Sequence, residues 1–324
     1  MEARAKGAGR GLQEVGTARV STVPPPSLKP RRGGRPKWFD PMPYLFIAPT
    51  VVVVALVFGY PVLSVLWNSF SVPALFGKSE LGLDNYVAVL SNPIFHRALL
   101  NNLRLFLAVP VMTVLSVLIA TLLFERVRGW RFYRSIVFIP YVIAIPVVGI
   151  VFSYILQRHG LLNELLEALH LGFLVRDWLG DSNWAIWAVW LVIVWQQLGF
   201  GVVLFLARLG SLDASLTEAA MLDRAGWWQR FWNVTVPHLA TTIEFFVTLS
   251  LINMLSWVFN YVYVMTGGGP VQSTYVLELF VFNSAFRDGQ PNIASAVSVI
   301  VLMVAVVLLS VQAFLRRRVE RLEE

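Results

Sequence analysis

Cysteine is absent from the 324 residues, which excludes a disulfide framework, a Cys-based zinc site and a thiol nucleophile. Histidine is scarce. His96, His159, His170 and His238 are scattered with no HExxH or similar spacing, so no metal site is expected. Charge is thin as well: 14% of residues are charged, against roughly a quarter in an ordinary soluble domain, while 57% are apolar. That deficit points to lipid as the main solvent. No phosphate-cradling loop occurs, because Gly267-Gly268-Gly269 is followed by Pro270 instead of Lys and Ser/Thr. The glycine triplet reads as a tight turn, and no cofactor is expected on this chain. The net charge of +7 would suit nucleic acid, but the basic residues flank apolar segments and do not interleave with aromatics. Membrane orientation explains them, and no nucleic-acid partner is expected.

What is abundant is long apolar runs. A spanning helix needs about 20 mostly apolar residues, and six segments qualify: residues 44–67, 99–123, 135–156, 184–207, 241–265 and 293–314. Pro49, Pro61, Pro110, Pro140 and Pro146 fall inside them and are expected to kink, not end, their helices. The first run is too long for a signal-peptide core and lacks a small-residue cleavage site. With a cytoplasmic N-terminus, 20 Lys and Arg lie on the inner segments and 5 on the outer loops, with Arg104 inside span two. Both ends are therefore placed in the cytoplasm. Trp184, Trp187 and Trp190 share one face at the outer end of span four, where they suit an interfacial anchor or, alternatively, a ligand.

The expected fold is all-α, a polytopic membrane bundle of six transmembrane helices with a short cytoplasmic helix between spans four and five. Residues 1–42, rich in Pro, Gly and Arg, read as a disordered basic cytoplasmic tail. Residues 43–316 form the membrane domain and 317–324 a cytoplasmic C-terminal tail.

The loop at 211–237 is the most informative stretch. Asp213 fits an N-cap, and Ser215 with Glu218 has capping-box spacing. Helical spacing then runs to Asp223, and Gly226 is positioned to end the helix. The aromatic run 227–232 suits the headgroup level, and Pro237 is expected to break the chain before span five. Ala219 and Ala220 form a small-residue face between the charges of Glu218 and Asp223. Periodicity alone leaves open whether this is a plain surface helix or a docking helix.

Glu218-Ala219-Ala220 through Pro237 resembles the EAA motif of binding-protein-dependent ABC importer permeases, whose pattern is Glu-Ala-Ala, Asp-Gly-Ala and an aromatic-rich run ending Leu-Pro. Tyr261 through Pro270 resembles the Tyr-x-Met-Thr-Gly-Gly-Gly-Pro signature of the carbohydrate-uptake branch, of maltose and glycerol-3-phosphate type. Residues 195–207, and 45–69 with Pro49 and Tyr60-Pro61, are similar to other stretches of that branch, so the resemblance covers almost everything after residue 42. Two positions depart: Arg224 stands where the family has Gly, and Leu212-Asp213 where it has Ile-Pro.

The resemblance implies a sugar-importing permease of the cell inner membrane that is not itself an enzyme. Its coupling helix, through Glu218, Ala219, Ala220, Asp223, Arg224 and Gly226, would dock on a separate ATP-binding subunit dimer that holds ATP and Mg. Glu218 would either pair with a cation there or cap its own helix. A second homologous permease and an extracytoplasmic solute-binding protein are further implied partners, the latter meeting the outer loops, with Gly267, Gly268, Gly269 and Pro270 as the contact loop.

For the path itself, Asn253, Ser256, Trp257 and Asn260 share one face of span five beside Tyr261, and span four adds Trp195 and Gln196 with Gln197. Amides and rings suit an uncharged polyol. The same residues equally suit interhelical hydrogen bonds. A secondary transporter or channel is the alternative function, but mid-membrane ionisable pairs and internal repeats are both missing from the sequence. A membrane enzyme would need a nucleophile–base pair or metal cluster, and the sequence offers neither.

Overall fold

The computed structural model describes residues 41–72, 80–125 and 129–323. The expected N-terminal tail lies outside the described residues up to residue 40. The chain divides into two units after Val54. The first contributes α1 (Pro41–Val54), an apolar helix with an exposed surface. By length and composition, Tyr44–Phe70 can cross a membrane.

The second unit is helical apart from an antiparallel pair, β1 (Ser71–Val72) with β2 (Glu80–Leu81), in which Ser71 faces Leu81. Its helices are α2 (Tyr60–Phe70), α3 (Asp84–Leu90), α4 (Pro93–Phe106), α5 (Ala108–Phe124), α6 (Trp130–Val142), α7 (Ile145–Ile155) and α8 (Leu161–Ala168). They continue with α9 (Ala185–Leu209), α10 (Ala214–Leu222), α11 (Trp227–Arg230), α12 (Val236–Met265), α13 (Leu277–Phe286) and α14 (Pro291–Glu323). The backbone of α14 thus runs through the boundary expected at 316. Besides Tyr44–Phe70, Pro93–Phe124, Ala185–Leu209, Trp227–Met265 and Pro291–Phe314 are long and apolar enough to cross a membrane. Five spans result, or six if a bent pair is counted.

That pair corrects the third expected span. Trp130–Val142 and Ile145–Ile155 meet at 100° instead of forming one kinked rod. Ile143 and Ala144 are extended between them. Pro140 inside α6 and Pro146 at the start of α7 remove two backbone donors within one turn of the break. Pro237 departs from expectation in the opposite direction: it does not break the chain. A π turn, Phe231–Thr235, joins α11 to α12, so the helix is continuous from Trp227 to Met265. The missing proline N–H deprives the carbonyl of Asn233, four residues back, of its usual donor. A π turn over that carbonyl shifts bonding to the next donor along. The same device precedes Pro61, where Ala55–Gly59 is a π turn.

The core centres on α5 and α9, whose apolar windows are each 50% buried, against 22% for Trp227–Met265. Close approach relies on missing side chains. A Cβ on Gly199 would collide with the Val137 carbonyl of α6, and one on Gly201 with Ser116 of α5. Phe246, Met254, Val258 and Val262 of α12 close this core. The many exposed Leu, Val and Ile on other faces are what a lipid solvent requires. A second cluster, Val89, Phe95, Ala98, Leu277, Phe280, Ala296 and Val297, joins α3, α4, α13 and α14.

Two adjacent amides on α4 pin α13 to it. Asn101 Nδ2 donates to the Tyr275 carbonyl (2.9 Å). Asn102 Oδ1 accepts from Leu277 N (2.9 Å), and its Nδ2 donates to both Glu278 carboxylate oxygens (3.0 and 3.1 Å). Burial pushes the Glu278 carboxyl up to about 7, against the opposing pull of its own backbone amide and of Asn102.

Two outcomes follow. Gly199→Ala forces α6 and α9 apart, and should lower unfolding stability in detergent by about 1–3 kcal/mol; an unchanged melting temperature would refute the tight crossing. The folded pKa of Glu278 lies above its value in an unfolded chain, so its contribution is fully present below about 4.5 and is lost as pH rises through about 7. Glu278→Gln should flatten that part of the melting-temperature profile, and an unaltered profile would contradict the assignment.

Candidate functional site

The loop between α9 and α12 is built from its caps. Asp213 is the N-cap of α10, accepting from Ser215 N at 2.9 Å, and this bond holds its carboxyl below the usual range. Ser215 therefore sits inside the first turn, and the expected Ser215–Glu218 capping box does not form. Ser215, Glu218, Ala219 and Leu222 follow i, i+3, i+4, i+7 and are all exposed, Leu222 at 84%. Ala220 is half-buried on the adjoining face, and Asp223 is the exposed C-cap.

The helix ends earlier than Gly226. Arg224 adopts φ +57°, with its N–H on the Met221 carbonyl and the Ala225 N–H on that of Ala220 (both 3.0 Å). This is a Schellman termination with Arg in the left-handed position that glycine favours. Gly226 instead caps the start of α11, its N–H held by Gln229 Oε1 at 2.8 Å. Glu125, at the end of α5, braces this corner. It accepts from Trp227 Nε1 (3.0 Å) and pairs with Arg230 (3.7 Å). Trp227 stacks on Phe231 with 5.2 Å between centroids. A cleft of about 410 Å³ separates Leu212 and Met221 from Phe124, Glu125 and Trp227.

Mid-bundle, Gln196 and Tyr261 meet at the α6–α7 break. Gln196 Nε2 donates to the freed Ile143 carbonyl (2.7 Å), and Tyr261 Oη donates to Gln196 Oε1 (2.8 Å) while accepting from Gln197 Nε2 (3.3 Å). Both residues are buried. Trp195 lies outside this network, 41% exposed and packed on Phe152. Asn253 and Asn260 are half-buried and Trp257 is 46% exposed, on the face of α12 away from buried Met254, Val258 and Val262. Among the described residues neither asparagine side chain has a hydrogen-bond partner.

At the far end of α12, Thr266 caps the helix and the glycine turn follows. Gly267 and Gly268 have φ +61° and +91°, and a Cβ on Gly268 would strike Leu279 and Tyr275. Thr274 ties the turn together, bonded to Thr266 Oγ1 (2.7 Å) and to the Gly269 carbonyl (2.8 Å). Gly269 and Pro270 are half-buried. Sequence reasoning missed Glu125, Asn101, Asn102 and Thr274. The available signal was polarity at the edge of apolar runs; the partners of Thr274 are local, whereas those of Glu125, Asn101 and Asn102 lie far away in sequence. Among the described residues no group of His, Asp and Glu is arranged to hold a metal ion.

Residues 85–321 match the family described as binding-protein-dependent transport system inner membrane component. The chain is 36% identical over 276 residues to the probable ABC transporter permease protein YurN of Bacillus subtilis (strain 168), covering 82% of this chain and 93% of that one. It is 31% identical over 297 residues to the sn-glycerol-3-phosphate transport system permease protein UgpA of Agrobacterium fabrum (strain C58 / ATCC 33970), covering 86% and 96%. Identity to the lactose transport system permease protein LacF of Rhizobium radiobacter is 31% over 282 residues, covering 85% and 94%. The fold matches a chain of a bacterial ABC transporter involved in the import of the acidic polysaccharide alginate, with TM-score 0.75 at 23% identity, over 86% of this chain and 96% of that one. With its apolar spans and an inner-membrane family profile across most of its length, the chain belongs to the binding-protein-dependent transport system inner membrane components, as the permease part of an ABC importer.

Proposed function

We propose that this permease carries a sugar or sugar-like solute, delivered by an extracytoplasmic binding protein, and that residues 211–237 couple it to a separate ATPase. The observation that carries the coupling is the bare outward face of α10, where Ser215, Glu218, Ala219 and Leu222 lie exposed on a helix fixed by caps at both ends. An 84% exposed leucine beside an alanine is an apolar surface awaiting a partner. The Glu125 brace and the unbroken helix from Trp227 to Met265 make the loop a stiff attachment to the membrane core. Closure of an ATPase pair could then move it as a body. Asp223, Arg224 and Gly226 shape the end of that surface, and ATP with Mg would sit on the ATPase dimer.

The free amides of Asn253 and Asn260 and the exposed rings of Trp195 and Trp257 support a solute path shared with a second, homologous permease. Gln196 and Tyr261 lie behind that path and fix its wall. The turn at Gly267, Gly268, Gly269 and Pro270 would meet the binding protein outside, with both chain ends in the cytoplasm. Relatives named for lactose and for sn-glycerol-3-phosphate support the sugar class.

Ala219→Trp should leave the fold intact, because the position is exposed, but abolish co-purification of the ATPase. Retained ATPase with normal solute-stimulated hydrolysis would discard the docking face. Among the described residues Glu218 caps no backbone amide, so Glu218→Gln should depress coupled hydrolysis as much as Glu218→Ala; full activity of the Gln variant would remove the ion-pair role. Arg224→Gly relieves a left-handed residue at a cost of roughly 1 kcal/mol, and should slow amide exchange across 219–225 about fivefold. Faster exchange would refute the strained cap.

A further inference from the structure

We infer that a basic cleft at the end of the bundle opposite α10 receives the anionic group, a carboxylate or a phosphate, of the transported solute. The inference rests on the importer reading and narrows its cargo. The cleft, about 540 Å³, is lined along one face of α4 by His96, Arg97, Leu100, Asn101 and Arg104, and closed by Ser182, Val271 and Ser273. The α4 residues recur at i, i+3, i+4, i+7 spacing, so both guanidinium groups serve the same groove, about 10 Å apart along the axis. Its size suits a mono- or disaccharide.

The charges in this groove are unanswered. Arg97 donates to the Val271 carbonyl (2.7 Å) and Arg104 to Asn101 Oδ1 (3.2 Å). Each guanidinium has five N–H donors, so most remain available. Neither arginine is ion-paired among the described residues, and no carboxylate lines the cleft. The acids of the neighbouring turn, Asp177 and Asp181, accept from Gly180 N and Asn183 N and form no ion pair with either arginine among the described residues. Ser273 also lines the groove, with its Oγ turned into the protein and buried.

Two planar guanidinium forks with no acid beside them are matched to oxygens brought from outside. Arg104 lies within the apolar span Pro93–Phe124, a position that argues for function. Among relatives and structural neighbours, sn-glycerol-3-phosphate and alginate are anionic while lactose is neutral, so the family allows the distinction that this cleft would draw.

The test uses the whole importer, with its partner permease, ATPase and binding protein, in proteoliposomes. Uptake of a glucuronate-bearing disaccharide, sn-glycerol 3-phosphate and lactose is compared. ATP-dependent uptake of an anionic solute is expected. Arg97→Gln and Arg104→Gln should each lower it about tenfold below saturation, the size of a lost charged hydrogen bond. The Lys variants should keep part of it, and they guard against misfolding. Arg158→Gln, which removes the same charge at an exposed position outside the cleft, should be silent. Uptake confined to lactose, or equal losses in Arg158→Gln, would overturn the anionic cargo while leaving the importer standing. No ATP-driven uptake of any solute would overturn both. Phosphorus analysis of the detergent-purified complex separates a lipid source. A bound phospholipid lost in both Gln variants, with anionic uptake unchanged, would assign the cleft to a headgroup and overturn the proposal.

Discussion

A backbone carbonyl in lipid must find a donor inside the protein, and the architecture turns on how one such carbonyl is answered. The break between α6 and α7 frees Ile143, and Gln196 of α9 reaches across to it at 2.7 Å. An unpaired group in hydrocarbon costs several kcal/mol, so a 100° bend at this depth can persist only with that bond or a substitute. Tyr261 then takes the other end of the same amide, which locks α12 into the arrangement. One side chain thereby fixes the mutual placement of the broken helix, the central helix and the long helix.

The two prolines that might have divided this framework are absorbed by it. Pro237 and Pro61 each follow a π turn, which keeps the helix continuous where a break would have created a hinge. The consequence at Pro237 is mechanical. Trp227 and Arg230, braced by Glu125 from the end of α5, belong to one 39-residue helix that also carries Tyr261 and ends at the glycine turn. Force applied to the loop has no loose joint in which to dissipate before Thr266.

The bundle was legible in the sequence because its signals are local: the apolar runs and the Glu-Ala-Ala loop between two of them. The prolines announced disturbance but not its sense. Pro140 and Pro146 gave a sharp bend and Pro237 a π turn, and which one results depends on whether a partner such as Gln196 is at hand. Asp213 outcompeted Ser215 as N-cap because both were eligible and the helix could begin at either; a backbone amide chose. Asn101, Asn102 and Glu125 were invisible for a different reason. Asn102 meets Glu278 and Glu125 meets Trp227, partners more than a hundred residues away, so no local pattern could pair them. Asn253 and Asn260 are half-buried on one face of α12, whereas Gln196 and Tyr261 are bonded to each other in the core.

Arg224 shows how a departure from a family pattern acquires physical content. Glycine at that place is explained by the left-handed C′ position of a Schellman end, since Cβ opposes that backbone in any other residue. Arg224 adopts the same backbone regardless, with both terminating hydrogen bonds made at 3.0 Å. The helix end is therefore dictated by the bonding of Met221 and Ala220 rather than by the preference of the residue that occupies it. Part of the strain is offset by a cation beside the helix C-terminus, worth about 0.3–1 kcal/mol. The loop keeps its shape while its surface charge changes. That combination lets the surface of α10 change without altering how the helix is held.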